Sequence, residues 1–176
     1  MNSKKVISDF IKPNLIVPAI FTILPPFIFG LIVLLCSGLP NLKRANKCLS
    51  ALESKGEIDK AAAELNSPNS KKFVKGKVIL TENYIFCKNT GVVISYEDAV
   101  WAYRNRHTST FFLIPISVND SLCLASKYFK PIQAAIMGKD KHEEIKNAIV
   151  EIYNHNNACL VGYNAETNAK YKALSK

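Results

Sequence analysis

The sequence has no charged side chain from residue 13 to residue 42, although 21% of its residues are charged overall. It is also poor in acids, since 14 Asp and Glu stand against 23 Lys and Arg and leave a net charge of +9. Nine Phe, seven Tyr and many aliphatic side chains exclude intrinsic disorder, because they can bury enough surface to offset chain entropy. The length of 176 residues allows one compact domain and an appendage.

The sequence also lacks the short motifs that mark common catalytic sites. It contains no GxxxxGK[ST] phosphate loop, no GxGxxG dinucleotide fingerprint and no GxSxG nucleophile elbow. Three His and five Cys show no metal-ligand spacing, so we expect neither a metal nor a cofactor. Adjacent strand residues point to opposite faces, so Glu97-Asp98 indicates a turn or the start of a strand rather than an acid–base pair. These absences favour a protein that is not an enzyme.

Residues 15–36 form an apolar run in which only Thr22 is conventionally polar. A helix of this length spans about 33 Å, close to the roughly 30 Å of a bilayer's hydrocarbon core. The run therefore predicts one transmembrane helix, bent near Pro25-Pro26 because proline interrupts helical hydrogen bonding. Three alternatives remain: a re-entrant hairpin broken at the two prolines, a cleaved signal segment, and a buried helix of a soluble protein.

The charges at the two ends of this run predict its orientation. The short basic tail, 1–14, carries Lys4, Lys5 and Lys12, whereas four Lys and Arg follow the run within about 20 residues. An odd number of Cys without a CxxC pair suits a reducing compartment. We therefore expect a single-pass protein of a bacterial cell membrane, with the tail outside and the main domain in the cytoplasm.

Residues 41–70 read as a helical connector with too few apolar side chains for a core of its own. The apolar spacing predicts a helix to about Ser54 and a second helix from Ile58 to Leu65, followed by a loop at 66–70. From residue 71 to 176 the pattern changes to short strands and then helices. The strands are predicted at 77–81, 84–87, 92–96, 99–107, 111–118, 121–126 and 132–137.

Several local features refine this β region and the helices after it. Asn119-Asp120 predicts a hairpin turn, and Pro115 predicts an edge or a bulge in its strand. Cys87 and Cys123 are expected to be small core residues. Asp140 starts an amphipathic helix whose apolar stripe should pack on the sheet, and Asn164 caps a last helix over 165–174. The stripe consists of Ile145, Ala148, Ile149 and Ile152.

This order of elements predicts an α+β fold, in which an antiparallel sheet or barrel is closed by an amphipathic C-terminal helix. It resembles a pleckstrin-homology (PH)-like fold, and Thr90–Tyr103 resembles the strand–Tyr-x-Asp–strand passage of bacterial PH-like proteins. Residues 14–174 also resemble an uncharacterised Firmicutes family of single-span membrane proteins. The matching pieces are the N-terminal span, Leu52–Asp59, Glu82–Phe86 and Val161–Tyr163. The family implies the architecture and supplies no activity or site residues.

Two basic clusters are the candidate binding residues. Each Lys or Arg near an anionic membrane surface contributes about 1 kcal/mol, so these side chains are expected to contact anionic lipid headgroups. The candidates are Lys43, Arg44, Lys47, Lys71, Lys72, Lys75 and Lys77.

We therefore expect a membrane-anchored, non-enzymatic binding or scaffold module whose partners are the bilayer and a protein that the sequence does not identify. One alternative is a membrane-associated enzyme whose site forms only in the fold. Another is a basic nucleic-acid-binding protein, because Trp101, Tyr103, Arg104 and Arg106 interleave aromatic and basic side chains. A buried Trp101 beside exposed arginines is the simpler account of that strand, so no nucleic acid is expected.

Overall fold

The computed structural model describes residues 39–111, 114–138 and 142–174. The basic tail and the apolar run at 15–36 lie outside these ranges, so the predicted span stays a prediction. Within them, no helix has both the length and the hydropathy needed to cross a bilayer.

The described ranges contain four α-helices and eight β-strands, which confirms the predicted α+β class. The helices are α1 (Leu39–Ser54), α2 (Ile58–Leu65), α3 (His142–His155) and α4 (Ala165–Leu174). The strands are β1 (Lys71–Phe73), β2 (Val78–Leu80), β3 (Tyr84–Cys87), β4 (Val92–Ser95), β5 (Ala99–Phe111), β6 (Ile114–Ser126), β7 (Phe129–Gly138) and β8 (Leu160–Val161).

The strands form two four-stranded sheets rather than one closed barrel. Sheet 1 has the order β1-β2-β3-β4 and sheet 2 the order β7-β6-β5-β8, and no pairing between the sheets occurs in the described ranges. All neighbours are antiparallel except β5 and β8, which run parallel with Trp101 opposite Leu160. A short 3₁₀ turn at Tyr96–Asp98 carries the chain from β4 to β5, and therefore from one sheet to the other.

The predicted hairpin turn at Asn119-Asp120 is wrong, because β6 runs without interruption through both residues. Asn119 pairs with His107 and Asp120 with Arg106 across β5. Asp120 is fully buried, and Arg106 compensates its charge from the neighbouring strand. A local turn preference is thereby overridden by a cross-strand ion pair. At Pro115, where the sequence predicts an edge or a bulge, the strand pairing is irregular: the β5–β6 register shifts between Ser109 and Thr110, which lies opposite Pro115.

The larger core lies where α3 packs against both sheets. Ile145, Ala148, Ile149 and Ile152 are all buried there, which confirms the predicted stripe. They join apolar side chains of β2 to β7, and α3 contacts strands of both sheets. Cys87 lies in this core, and Cys123 is also buried, as the sequence predicts. The helix therefore joins two sheets that share no backbone pairing in the described ranges.

The second core lies on the opposite face of sheet 1, under α1 and α2. Every residue of β3 and β4 is buried, so both faces of these strands need cover. Successive strand residues face opposite sides. Tyr84, Phe86 and Val93 consequently meet the helices, while Ile85 and Cys87 face the larger core. The helical side of this second core is formed by Ala45, Leu52, Ile58, Ala61 and Ala62.

The last helix begins with the cap that the sequence predicts. The Asn164 side chain accepts a hydrogen bond from the Thr167 backbone N–H at 2.8 Å. Thr167 Oγ1 in return accepts one from the Asn164 backbone N–H at 3.1 Å. Two backbone donors that a helix start leaves unpaired are thus satisfied.

Candidate functional site

The first basic cluster lies on the solvent side of α1. Lys43 and Lys47, one helical turn apart, are exposed, whereas Ala45 and Cys48 are buried. Arg44 is half-buried, and its Nη1 donates to Asn41 Oδ1 at 2.9 Å. Because α1 begins at Leu39, these cations follow the apolar run at 15–36 within about three helical turns.

The second basic cluster is partly used to hold the fold together. Lys71 Nζ lies 2.7 Å from Glu151 Oε1 of α3, and Lys77 Nζ donates to the Ile136 carbonyl of β7 at 2.7 Å. The side chains of Lys72 and Lys75 are exposed. The structure thus separates these four predicted contacts into two that tie elements together and two that face solvent.

The turn between β1 and β2, which carries Lys75, has a strained backbone. Val74 and Lys75 adopt φ values of 53° and 56°, a region that is costly for side chains with a Cβ and above all for β-branched ones. Two contacts offset this cost. Val74 is completely buried in the larger core, and Glu144 Oε2 of α3 accepts the Lys75 backbone N–H at 3.2 Å.

Asp98 is the centre of a polar network that sequence patterns did not reveal. Its Oδ2 accepts hydrogen bonds from Lys55 Nζ at 2.8 Å, Ser95 Oγ at 2.8 Å and Tyr128 Oη at 3.2 Å. Its Oδ1 lies 3.3 Å from Lys127 Nζ. The side chain is only 5% exposed. The carboxylate therefore joins the α1–α2 turn, the sheet switch and the β6–β7 turn.

The network keeps Asp98 ionised. Burial alone raises the pKa of this carboxyl, but the hydrogen bonds from Lys55, Ser95 and Lys127 outweigh burial and hold its pKa below the usual range. The hydrogen bond to Asp98 correspondingly raises the pKa of Lys55. The location of Asp98 agrees with the turn predicted at Glu97-Asp98.

Asp120 forms the second buried ion pair. Arg106 Nε and Nη2 donate to its two carboxylate oxygens at 3.0 and 3.2 Å, and Arg104 Nε lies 3.9 Å away. The hydrogen bond from Arg106 lowers the pKa of Asp120 further than burial raises it. Arg104 and Arg106 supply the basic charge in the nucleic-acid alternative. In the structure they lie beside Asp120 and neutralise its buried charge.

Trp101 lies at the centre of an aromatic cluster on the outer face of sheet 2. Its ring lies 4.4 Å from Tyr103, 5.5 Å from Tyr163 and 5.0 Å from Tyr171, measured between centroids. Its Nε1 donates to the Gly162 carbonyl at 2.7 Å. Trp101 is 2% exposed, and α4 covers it without burying any residue of its own.

A polar cavity of about 220 Å³ opens near the end of α3. His155 stacks on Tyr96 with ring centroids 4.3 Å apart, and burial raises the pKa of Tyr84 to about 12. One carboxylate oxygen of Glu57, Oε2, is buried and has no hydrogen-bond partner within the described ranges. The charged or titratable lining consists of Glu57, Lys60, Glu82, Tyr84, Tyr96, Glu97 and His155.

In the described ranges, the remaining cysteines and histidines form no further cluster. Burial raises the pKa of Cys48, Cys87 and Cys159 to about 12, so these thiols are poor nucleophiles near neutral pH. His142 lies 3.0 Å from Glu143, its sequence neighbour. Within the part of the chain that the structure describes, no three His, Cys, Asp or Glu side chains are arranged to hold a metal ion.

Comparison of the chain with known proteins adds no relative. Neither a family profile, nor a curated protein, nor a solved structure matches it.

Proposed function

We propose that this protein is a membrane-anchored, non-enzymatic binding or scaffold module. Its α+β part has a PH-like character and lies at the inner face of a bacterial cell membrane, as in the Firmicutes family that the sequence resembles. Residues 15–36 supply the anchor as a single span. The described domain presents its surface to the bilayer and to a partner protein.

One observation carries this proposal: the exposed lysines of α1 follow directly after the apolar run. The run ends at Cys36 and α1 begins at Leu39, so Lys43 and Lys47 stay close to any membrane that holds the run. They also project away from the core, because the opposite face of α1 packs on sheet 1. Cations in this position are attracted by anionic headgroups.

The ion pairs support a structural role for the most buried acids. Asp98 and Asp120 have their oxygens occupied by Lys, Arg, Ser and Tyr donors from neighbouring elements. Acids held ionised by such fixed partners stabilise a scaffold, whereas a general acid–base group needs a pKa near the working pH.

Extraction and topology experiments test the anchor. The full chain should stay with membranes in alkaline carbonate and leave them only with detergent. Reporter fusions should place the N-terminus outside and the C-terminus in the cytoplasm. Release by carbonate would overturn the anchor. Cytoplasmic reporters at both ends would replace the span with a re-entrant hairpin.

A second candidate function, a membrane-associated enzyme, is favoured by the polar cavity beside His155. Its lining combines acids, a lysine and a histidine, and Glu57 Oε2 has no hydrogen-bond partner among the described residues. A small-molecule screen by thermal shift tests it. An enzyme predicts compounds that raise the Tm of the native chain but not that of Glu57→Gln. Compounds that raise the Tm of both proteins equally would favour the scaffold, and so would a screen in which no compound raises the Tm.

A further inference from the structure

We infer that the groove between the β6–β7 turn and α4 is a peptide-binding site for an acidic segment with apolar side chains. This inference rests on the proposed function, because it assigns a partner class to the binding module. The groove has a volume of about 420 Å³, within the range of about 300–1,000 Å³ typical of ligand sites. Its main walls are formed by Val100, Lys127, Phe129, Lys130, Tyr171 and Leu174.

The lining of the groove carries an excess of positive charge. Lys127 contacts Asp98, but Lys55 is closer to the same carboxylate, at 2.8 Å against 3.3 Å. One acid is therefore shared by two lysines, and Lys130 adds a third cation nearby. None of the described side chains that line the groove is acidic. The groove therefore suits carboxylates, whose charge complements the surplus.

The rest of the lining is largely apolar and held in place. Tyr171 rests on the buried Trp101, and Phe129 is anchored in the larger core at 8% exposure. Leu174 is 67% exposed and lines the same groove as Tyr171. A partner that covers Leu174, Val100 and Tyr171 would remove this apolar surface from water.

The dimensions favour a peptide over a lipid chain. Lysine and apolar side chains line the same cleft, which opens to solvent, so carboxylates and an apolar side chain only a few residues apart can reach both kinds of lining. A long acyl chain would find no enclosed tunnel there. The lysines and the apolar side chains together select acidic segments that contain Leu or Phe.

The single tryptophan of the chain provides the readout, because Trp101 contacts Tyr171 of the groove wall. The full chain in non-ionic detergent is titrated with the blocked peptide Glu-Asp-Leu-Phe-Glu while Trp101 emission is followed. A saturable change is expected. The neutral peptide Gln-Asn-Leu-Phe-Gln and the apolar-deficient peptide Glu-Asp-Ala-Ala-Glu should each bind at least about tenfold more weakly, which corresponds to 1.4 kcal/mol.

Exposed positions give variants that leave the fold intact. Lys130→Glu and Leu174→Asp should each weaken binding at least about tenfold. Lys88→Glu and Val150→Asp, which change exposed residues outside the groove in the same way, should not. The inference would be wrong if the groove variants left the peptide affinity unchanged, or if the acidic peptide did not bind.

Two further outcomes distinguish this inference from a lipid-binding groove and from the proposed membrane anchor. If phosphatidylglycerol in mixed micelles changes Trp101 emission in a Lys130-dependent way while the peptide does not, the groove is a lipid site and the inference is wrong. The carbonate extraction is carried out without peptide. If the chain stays in the membrane but does not bind the peptide, only the peptide-binding inference is wrong. If the chain binds the peptide but is released from the membrane, only the proposed anchor is wrong.

Discussion

Asp98 connects three turns that lie far apart in the sequence. Its partners Lys55 and Lys127 are 43 and 29 residues away, so the carboxylate holds together segments that share no secondary structure. Removing it with Asp98→Ala should destabilise the fragment 39–176 by about 2 kcal/mol, below the roughly 3–5 kcal/mol of a fully buried pair, because both lysines can regain water. Urea unfolding measures this cost.

The neighbouring carboxylate is the control for this prediction. Glu97 is exposed on the same 3₁₀ turn, so Glu97→Ala should change stability by less than about 0.5 kcal/mol. Equal losses of stability for the two substitutions would show that the turn itself, rather than the hydrogen-bond network of Asp98, stabilises the fold.

The network around Asp98 also predicts how the stability of the fold depends on pH. The pKa of Asp98 in the folded protein lies below its ordinary value of about 3.9. Its stabilisation is therefore complete above that value and is lost as the pH falls through the lower folded pKa. The stability difference between wild type and Asp98→Asn should be constant from pH 7 to about 5 and shrink below about pH 4. A difference that persists unchanged at about pH 2.5 would contradict ionic stabilisation by Asp98.

At the scale of elements, α1 and α2 form a layer of the fold with no core of their own. Their apolar side chains share a cluster with the outer face of sheet 1. Leu52→Ala should therefore cost about 2–4 kcal/mol in urea unfolding, close to the cost of Ile152→Ala in α3. Both side chains are at most 2% exposed. If 41–70 only tethered the domain, Leu52→Ala would cost less than about 0.5 kcal/mol.

Elements were predictable where local spacing determines them. The helices at Ile58–Leu65 and Ala165–Leu174 and the strand at Tyr84–Cys87 have the predicted bounds, because caps, turns and apolar periodicity lie within a few residues. The turn at Asn119-Asp120 was predicted wrongly, because the decisive partner of Asp120 lies on another strand. The groove was missed for the same reason, since its walls come from residues around 100, 130 and 171.

The whole molecule carries a net charge of +9, but its lysines are not equivalent. Lys71 and Lys77 already bind Glu151 and a backbone carbonyl, whereas Lys43 and Lys47 face solvent on α1. Replacing Lys43 and Lys47 with Gln in the fragment 39–176 should weaken binding to phosphatidylglycerol vesicles about fivefold per charge. Replacing Lys71 and Lys77 should weaken it less, because their attraction to the surface competes with internal partners.

Salt and lipid composition complete this last prediction. Because exposed charges are screened over about 8–10 Å at physiological ionic strength, vesicle binding should disappear in high salt. It should also be the same for phosphatidylglycerol and other anionic lipids of equal charge. Sedimentation with vesicles measures both dependences, and phosphatidylcholine vesicles provide the uncharged control. Salt-resistant binding to one headgroup would mean that a specific lipid site acts in place of the general attraction of α1. An equal loss from the two lysine pairs would mean that the attraction is not concentrated on α1.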